Sequence, residues 1–256
     1  MVNTVDKETK YRELIENVRQ SYLSHSNIEK QVPQRMEWCE DCKEINLWTY
    51  WQGQSHLNAR LMLVGQDWGS PWDDASVAVM NNVRKKNSGI KAGYMDGNNS
   101  ITDKNLIQLF DSIGYKICEE RKDNEDLFFT NLVLGYRSSG TSGGFKSSWI
   151  THDADFFRKL TNIIVPEVML CLGRTTFEGV LHALQYHLPT YVGSYNQFIT
   201  SDQNPIEVKL ENNKKVRIFA LAHCGALGTM NRNRGSDPNQ KLDLQIKDWE
   251  RIKKYI

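Results

Sequence analysis

Three polar side chains occupy the ends of strongly apolar segments: an aspartate, an asparagine and a histidine. Asp67 follows the apolar run LMLV at 61–64, Asn131 lies late in the run DLFFTNLVL, and His223 follows VRIFALA. A carboxylate stabilises positive charge and orients water, an amide recognises a pattern of hydrogen-bonding groups, and a neutral imidazole donates to a developing anion. If these groups share one crevice, they can support a hydrolysis in which charge separates in the transition state.

The three residues converge only if their strands lie side by side in one sheet. Four apolar segments of strand length are separated by segments with helical patterns, and they read RLMLVGQD, DLFFTNLVL, PEVMLCLG and VRIFALAHCG. Strands that are apolar throughout and alternate with helices predict a parallel sheet covered on both faces. The predicted fold class is therefore α/β, a three-layer α/β/α sandwich with a central four-stranded parallel sheet. In such sheets ligands bind beyond the carboxyl ends of the strands.

The remaining elements give the expected domain organisation. Apolar residues at three- and four-residue spacings predict an amphipathic helix over about 7–25. Further helices are expected from about Thr102, over 150–164, over 174–187 and at the C-terminus, and IEVKLENNKKVRI reads as a hairpin that turns at Asn212 and Asn213. We expect residues 1–58 to form an N-terminal helical arm packed on the core, and residues 59–256 to form a single α/β/α domain.

Composition limits the class of protein without indicating its function. The chain has 256 residues, 39% of them hydrophobic and 25% charged, and a formal net charge of +1, which is ordinary for a globular protein. No apolar segment reaches the roughly 20 residues of a membrane helix, and the N-terminal segment lacks the apolar core of a signal peptide. Five scattered cysteines suit a reducing compartment. We expect a cytoplasmic protein with no membrane partner.

Each of the three polar residues also has an ordinary structural explanation. An aspartate after a strand is often a turn former, a strand asparagine often satisfies nearby backbone groups, and a lone histidine is often a core residue. Their joint occurrence at the ends of three predicted strands favours a site, because a site needs several polar groups in one apolar pocket. Gly65 and Gly69 match neither the Walker spacing nor G-x-G-x-x-G, so a phosphate-binding loop is not indicated.

At these positions the sequence resembles the uracil-DNA glycosylase superfamily. GQD at 65–67 is similar to the start of the family's water-activating motif, and HCGALG at 223–228 is similar to its second motif, in which a leucine follows the histidine by four residues. FFTNLVL resembles the base-reading strand, and PEVMLCLG resembles the structural third strand. The resemblance covers about residues 60–234 and identifies the chain as a divergent member of the superfamily.

The resemblance implies a role for each residue in breaking the bond between a sugar and a base. Asp67 would stabilise the oxocarbenium-like sugar and orient water, as carboxylates do in glycoside hydrolysis. His223 and the backbone around Gly65 and Gln66 would donate to the departing base. Asn131 would donate to O4 and accept from N3–H of uracil, a pattern that cytosine reverses. Tyr94 is the first candidate for stacking on the base, with Phe128 and Phe129 as alternatives that can equally be core residues.

The resemblance also implies contacts to DNA. Leu227 stands at the position of the wedge that fills the base stack when a base is flipped out, although it can also be a buried loop residue. The candidate backbone contacts are Gly225, Arg232, Arg234 and Lys146. The expected partner is therefore DNA, single- or double-stranded, that contains uracil or a modified base, and the protein is expected to act as a monomer.

The sequence departs from the family pattern at the base gate and in the second motif. WGSPW at 68–72 replaces the usual proline and tyrosine, so Trp68 or Trp72 would have to supply the bulk that excludes the thymine methyl group. Cys224 and Gly225 stand where the family usually has proline and serine. CEDC at 39–42 resembles the first cysteine pair of the iron–sulfur branch, but no second pair follows. Two thiols do not make a metal site, so neither a metal nor a cofactor is expected.

The sequence thus predicts a monofunctional DNA glycosylase that acts on uracil or a related damaged or modified base. Two alternatives remain at this stage. The first is a catalytically silent module that uses the same fold to bind nucleic acid or protein. The second is an N-glycosidase that acts on free nucleosides.

Overall fold

The computed structural model describes residues 4–24, 56–67, 101–117, 127–134, 145–187, 193–234 and 242–256. Within these ranges the chain forms seven α-helices and five β-strands. Six positions named above lie outside the described residues: Cys39, Cys42, Trp68, Gly69, Trp72 and Tyr94. The base gate, the stacking tyrosine and the CEDC pair therefore stay predictions.

The central element is a five-stranded sheet. Its strands are β1 (Leu61–Gly65), β2 (Leu127–Asn131), β3 (Val168–Leu172), β4 (Ile206–Lys209) and β5 (Lys215–Leu221). The order across the sheet is β2-β1-β3-β5-β4. The four strands β2, β1, β3 and β5 are parallel to one another, as their continuous apolar sequences predict.

The predicted number of four strands is wrong, because β4 adds an antiparallel edge strand next to β5. The turn between them lies where the sequence places it, and Asn213 there has a φ of 66°. The sequence of β4, IEVK, alternates apolar and polar residues, and of these four only Val208 is buried. A strand with one solvated side lacks the continuous apolar run that identifies the buried strands.

Helices cover both faces of the sheet. They are α1 (Thr4–Ser24), α2 (Ile101–Ser112), α3 (Ser147–Ile164), α4 (Arg174–Ala183), α5 (Tyr195–Thr200), α6 (Ala226–Arg232) and α7 (Asp243–Glu250). Short 3-10 helices precede β1 (His56–Asn58) and follow α7 (Arg251–Tyr255). The sequence predicts α1, α2, α3, α4 and α7, whereas it makes no prediction for α5, and the segment of α6 was expected to be a loop.

Two apolar cores lie on opposite sides of the sheet, which gives the chain three layers. Alternate residues of each buried strand point to opposite faces, so that Met62 and Phe128 belong to one core while Leu63 and Phe129 belong to the other. The first core takes in buried residues of α1, α3, α4 and α5. The second takes in buried residues of α2 and α7. The architecture is consistent with a three-layer α/β/α fold.

The N-terminal helix α1 is part of the first core. Its apolar stripe is buried at Tyr11, Leu14, Val18 and Tyr22, and the ring of Tyr11 meets that of Phe128 on β2 edge to face, with centroids 6.1 Å apart. Lys7 donates from Nζ to the carbonyls of Leu57 and Ile164, and partial burial lowers the pKa of this lysine. Among the helices of the described ranges, none has the length and apolar character needed to cross a membrane.

Candidate functional site at the carboxyl edge of the sheet

The ends of β1 and β2 are joined beyond the last strand residues. Gly65 lies directly opposite Asn131 in the parallel register. The pairing continues because the Leu132 N–H donates to the Gly65 carbonyl at 2.9 Å and the Val133 N–H donates to the Gln66 carbonyl at 3.0 Å. These bonds fix the exit of β1, and therefore Asp67, beside the strand that carries Asn131.

Asn131 carries a buried amide without a partner. Asn131 is 1% exposed, and neither Nδ2 nor Oδ1 of its side chain has a hydrogen-bond partner among the described residues. Leaving a buried polar group unsatisfied costs about 1–3 kcal/mol. Native proteins rarely keep such groups without a reason. A ligand that both accepts from and donates to the amide would satisfy it.

The face of the sheet to which Asn131 points follows from strand alternation. Leu127 and Phe129 precede it on β2 at two-residue intervals, and both lie in the core formed with α2 and α7. Asn131 therefore continues that face at the carboxyl edge. The two phenylalanines considered as stacking residues are core: Phe128 is 1% exposed and Phe129 is fully buried. The position opposite Asn131, Gly65, adds no side chain next to the amide.

Asp67 is the last described residue after β1, and it is half-buried. Gln66 donates from Nε2 to Oδ2 of Asp67 at 2.9 Å. This bond restrains the orientation of the carboxylate.

His223 follows β5, and its tautomer is set by the backbone. The Gly225 N–H donates to Nδ1 of His223 at 2.9 Å. A backbone N–H can only donate, so Nδ1 must accept and the neutral ring carries its proton on Nε2. His223 is thus prepared as a neutral donor through Nε2–H, which is the form needed to stabilise a departing anion.

The electrostatics of His223 connect it to Asp67. His223 is an exposed residue, yet desolvation by the protein packed around it lowers its pKa below the ordinary value of 6.5. The Asp67 carboxylate acts in the opposite direction and raises this pKa. The strands that precede the two residues, β1 and β5, flank β3 in the sheet. Asp67 and His223 therefore lie near enough at the carboxyl edge for their charges to interact.

Gly173 lies at the end of β3, next to His223. It has a φ of 93°, a conformation that favours glycine. A Cβ at this position would lie 3.6 Å from Cβ of His223. Any side chain here would therefore begin in contact with the side chain of His223.

The lowered pKa of His223 predicts a loss of stability at acidic pH, because the protonated ring can no longer accept from the Gly225 N–H. Since the folded pKa lies below the unfolded value, the associated stability is present above pH 6.5 and is lost as the pH falls through the folded pKa. Urea unfolding of the wild type and of His223→Gln across this pH range measures how the free energy of unfolding depends on pH. An unchanged pH dependence in the variant would contradict the assignment.

The segment after His223 forms a helix rather than the expected loop. Leu227 lies in the first turn of α6 and is 67% exposed, and Met230, one turn later, is 58% exposed. Gly228 between them packs against His223, since a Cβ there would overlap the His223 carbonyl. The absence of a side chain on Gly228 lets α6 approach the backbone of His223 closely, and Leu227 in the same helix stays exposed.

The sequence-based DNA contacts fall into two groups. Arg234 and Lys146 are exposed, and Arg234 bonds the neutral side-chain oxygen of Asn231 at 3.1 Å. Arg232 instead forms a two-point ion pair with Asp248 on α7 at 2.6 and 2.7 Å, with side chains only 10% and 4% exposed. The structure therefore does not support Arg232 as a phosphate contact: its charge is used to attach α6 to α7.

The two departures in the second motif also have structural roles. Gly225 is buried, and its N–H donates to Nδ1 of His223. A Cβ on Gly225 would lie 2.9 Å from Nδ1 and Cε1 of His223. Cys224 is fully buried, and burial raises the pKa of its thiol, which makes it an inert core residue.

Sequence reasoning missed two polar residues that support this segment, Asn105 on α2 and Gln245 on α7. Both lie on the buried stripe of an amphipathic helix: Asn105 precedes Leu109 by four residues, and Gln245 precedes Trp249 by four. A polar amide at a core position of a helix is the signal that would have identified them. Met230 was also missed, because the segment was expected to be loop.

The arrangement combines a carboxylate, a neutral imidazole that donates through Nε2 and an amide with both functions unsatisfied, at one edge of a parallel sheet. The described residues hold no group of three or more histidine, cysteine or acidic side chains that could bind a metal ion. Such a set can stabilise a cation, a leaving anion and a planar ligand with adjacent donor and acceptor groups. No family model matches the chain, and the search of curated proteins likewise finds no match.

Proposed function

We propose that this protein is a DNA glycosylase with a uracil-DNA glycosylase-like fold, and that it hydrolyses the N-glycosidic bond of uracil or a related base in DNA. The observation that carries the proposal is the unpartnered buried amide of Asn131 at the same edge as Asp67 and His223. An amide that is both donor and acceptor matches the O4 and N3–H groups of uracil.

In the proposed reaction, water breaks the bond between C1′ of the sugar and the base nitrogen. The bonding electrons leave with the base, so positive charge develops on the sugar while negative charge develops on the base. The Asp67 carboxylate stabilises the sugar cation and orients the water that adds to C1′. Its bond from Gln66 holds the carboxylate in place throughout.

Stabilisation of the departing base depends on His223. With Nδ1 bonded to the Gly225 N–H, the neutral ring donates from Nε2 to the base oxygen on which negative charge accumulates. Asn131 binds the opposite edge of the base and so selects uracil over cytosine. A mismatched cytosine would leave both amide groups buried and unpaired, a discrimination worth several orders of magnitude in such sites.

DNA reaches the crevice by base flipping, at a cost of roughly a few kcal/mol. The exposed Leu227 on α6 is the proposed wedge for the gap in the base stack. Arg234 and Lys146 are the proposed phosphate contacts within the described residues.

Two neighbouring arginines provide a matched test of the DNA surface. Arg234→Ala is expected to weaken DNA binding, to reduce the slope of log K against log salt by about 1, and to leave stability unchanged. Arg232→Met is expected to lower the free energy of unfolding by about 3–5 kcal/mol, because it leaves Asp248 buried without its partner. DNA binding at several salt concentrations and urea unfolding are measured for both variants. If Arg232→Met changed the salt slope more than Arg234→Ala, the assignment of the two residues would be reversed.

The activity itself is tested with oligonucleotides that contain a single uracil, as single strands and as duplexes. After incubation, alkaline cleavage at abasic sites is expected to give a product with uracil and none with cytosine at the same position. Free deoxyuridine serves as the competing substrate, and base release from it alone would indicate a nucleoside N-glycosidase. No product with any base, together with salt-sensitive DNA binding, would indicate a catalytically silent nucleic-acid-binding module.

A further inference from the structure

Three successive carbonyls after β5 are bonded by side chains instead of by a neighbouring strand. Gln245 donates from Nε2 to the carbonyls of Ala222 at 3.5 Å and His223 at 3.2 Å. Asn105 donates from Nδ2 to the carbonyl of Cys224 at 2.7 Å. Backbone groups away from water need partners, and here the amides of two residues distant in sequence supply them for the segment that carries His223.

The two amides reach this segment from the helical layer on one side of the sheet. Asn105 lies on α2 and Gln245 on α7, and their residues are 5% and 1% exposed. Asn105 also bonds the hydroxyl of Thr229 at 3.3 Å, which connects it to α6. The path of the chain from Ala222 to α6 is therefore set by two buried side chains on separate helices.

Gln245 supplies these bonds at a cost. Its Oε1 is buried and has no hydrogen-bond partner among the described residues, whereas Nε2 is fully used. An apolar side chain of similar size would avoid the unsatisfied oxygen, but it would remove the bonds to the carbonyls of Ala222 and His223. What the amide adds is a fixed position for the carbonyls on either side of the imidazole.

We infer that Gln245 and Asn105 are positioning residues for His223, which hold its backbone so that Nδ1 meets the Gly225 N–H and the proton stays on Nε2. The distance that must be preserved is the 2.9 Å between the Gly225 nitrogen and Nδ1. Gly225 and Gly228 both approach His223 so closely that a Cβ on either would be crowded. A small displacement of the segment therefore separates the donor from the ring.

The catalytic consequence rests on the proposed function, but the positioning role does not. The test therefore measures the tautomer and the pKa of His223 directly, by ¹⁵N–¹H correlation of the ring nitrogens, with His223→Gln used to assign the signals. In the wild type we expect an unprotonated Nδ1, a protonated Nε2 and a pKa below 6.5. In Gln245→Met we expect averaged nitrogen signals from mixed tautomers and a pKa shifted toward 6.5.

Val208→Ala is the matched control, because Val208 is buried on the edge strand β4 and takes no part in the hydrogen bonds that Gln245 and Asn105 make to residues 222–224. It is expected to lower stability while leaving the ring signals of His223 as in the wild type. If Gln245→Met does not fold, Asn105→Ser is measured in the same way, since it removes one bond to the segment. Wild-type ring signals and an unchanged pKa in the folded variant would overturn the inference.

Excision assays add a second, independent result. If the wild type removes uracil, Gln245→Met is expected to lower kcat by about 10²-fold with little change in KM, because a misplaced donor affects the transition state more than binding. If the wild type has no activity, the proposed function fails, while the ring signals still decide whether Gln245 positions His223. Failure of the proposed function can thus be distinguished from failure of the positioning role of Gln245.

Discussion

Replacing Asn131 with leucine is expected to stabilise the protein and at the same time abolish base excision. Leucine has the branched shape of asparagine and places no polar group in the buried site, whereas the native amide leaves Nδ2 and Oδ1 without partners among the described residues. Removing these unsatisfied groups should raise the free energy of unfolding by about 1–3 kcal/mol. Excision of uracil should fall by about 10³-fold, because the base loses both of its bonds to the amide.

The matched control is Asn204→Leu, which changes another buried asparagine in the same way. The Asn204 amide donates to the carbonyls of Ile199 and Ala220 at 2.8 and 3.0 Å, and it accepts from the Ala220 N–H at 2.9 Å. Its loss should lower the free energy of unfolding by about 3 kcal/mol, since backbone groups are left unpaired. Urea unfolding and excision assays on both variants make the comparison. An Asn131→Leu protein less stable than the wild type would mean that the amide serves the fold.

The parts of the fold that follow from continuous apolar runs were predictable from the sequence. The strands β1, β2, β3 and β5 are fully or largely buried, and burial on both faces of a parallel sheet requires apolar side chains at every position. The edge strand β4 was predicted as the first arm of a hairpin but was not counted in the sheet, because its polar residues face water and only Val208 is buried. Continuous apolar runs therefore identified the strands that are buried on both faces, and they did not assign the edge strand to the same sheet.

The candidate site was predictable only to the level of residue type and strand position. Strand ends indicated Asp67, Asn131 and His223, because parallel strands bring their carboxyl ends to one edge. The ion pair of Arg232 with Asp248 could not be anticipated, since it depends on how α6 packs against α7. The helix α6 was also hidden, because Gly225 and Gly228 suggest a loop when their close approach to His223 is unknown.

The unpartnered state of the Asn131 amide lies beyond sequence reasoning for a similar reason. Whether a buried amide is satisfied depends on atoms contributed by several distant segments. Asn204 and Asn131 are both buried asparagines, yet one makes three backbone bonds and the other makes none within the described residues. Whether a buried asparagine is bonded by the fold or left unsatisfied is therefore a property of the packed structure.

Replacing Asp67 with asparagine is expected to lower excision of uracil by about 10³-fold without changing stability. Asparagine keeps the shape of the side chain, and its oxygen can still accept from Nε2 of Gln66, as the carboxylate does at 2.9 Å. The variant loses only the negative charge, which in the proposed reaction balances the positive charge on the sugar. Substrate binding should therefore change little while kcat falls, because the interaction is realised in the transition state.

The same substitution should lower the pKa of His223 further, since burial lowers this pKa and the Asp67 carboxylate partly opposes it. The acidic limit of the residual excision activity should move to lower pH, and the imidazole signals should titrate at lower pH in the NMR spectrum. Asp202→Asn, the same charge change at an exposed position after α5, should alter neither. If Asp67→Asn kept the wild-type excision rate, Asp67 would not be the carboxylate that stabilises the sugar. If the titration of His223 were unchanged, the two side chains would not face one crevice.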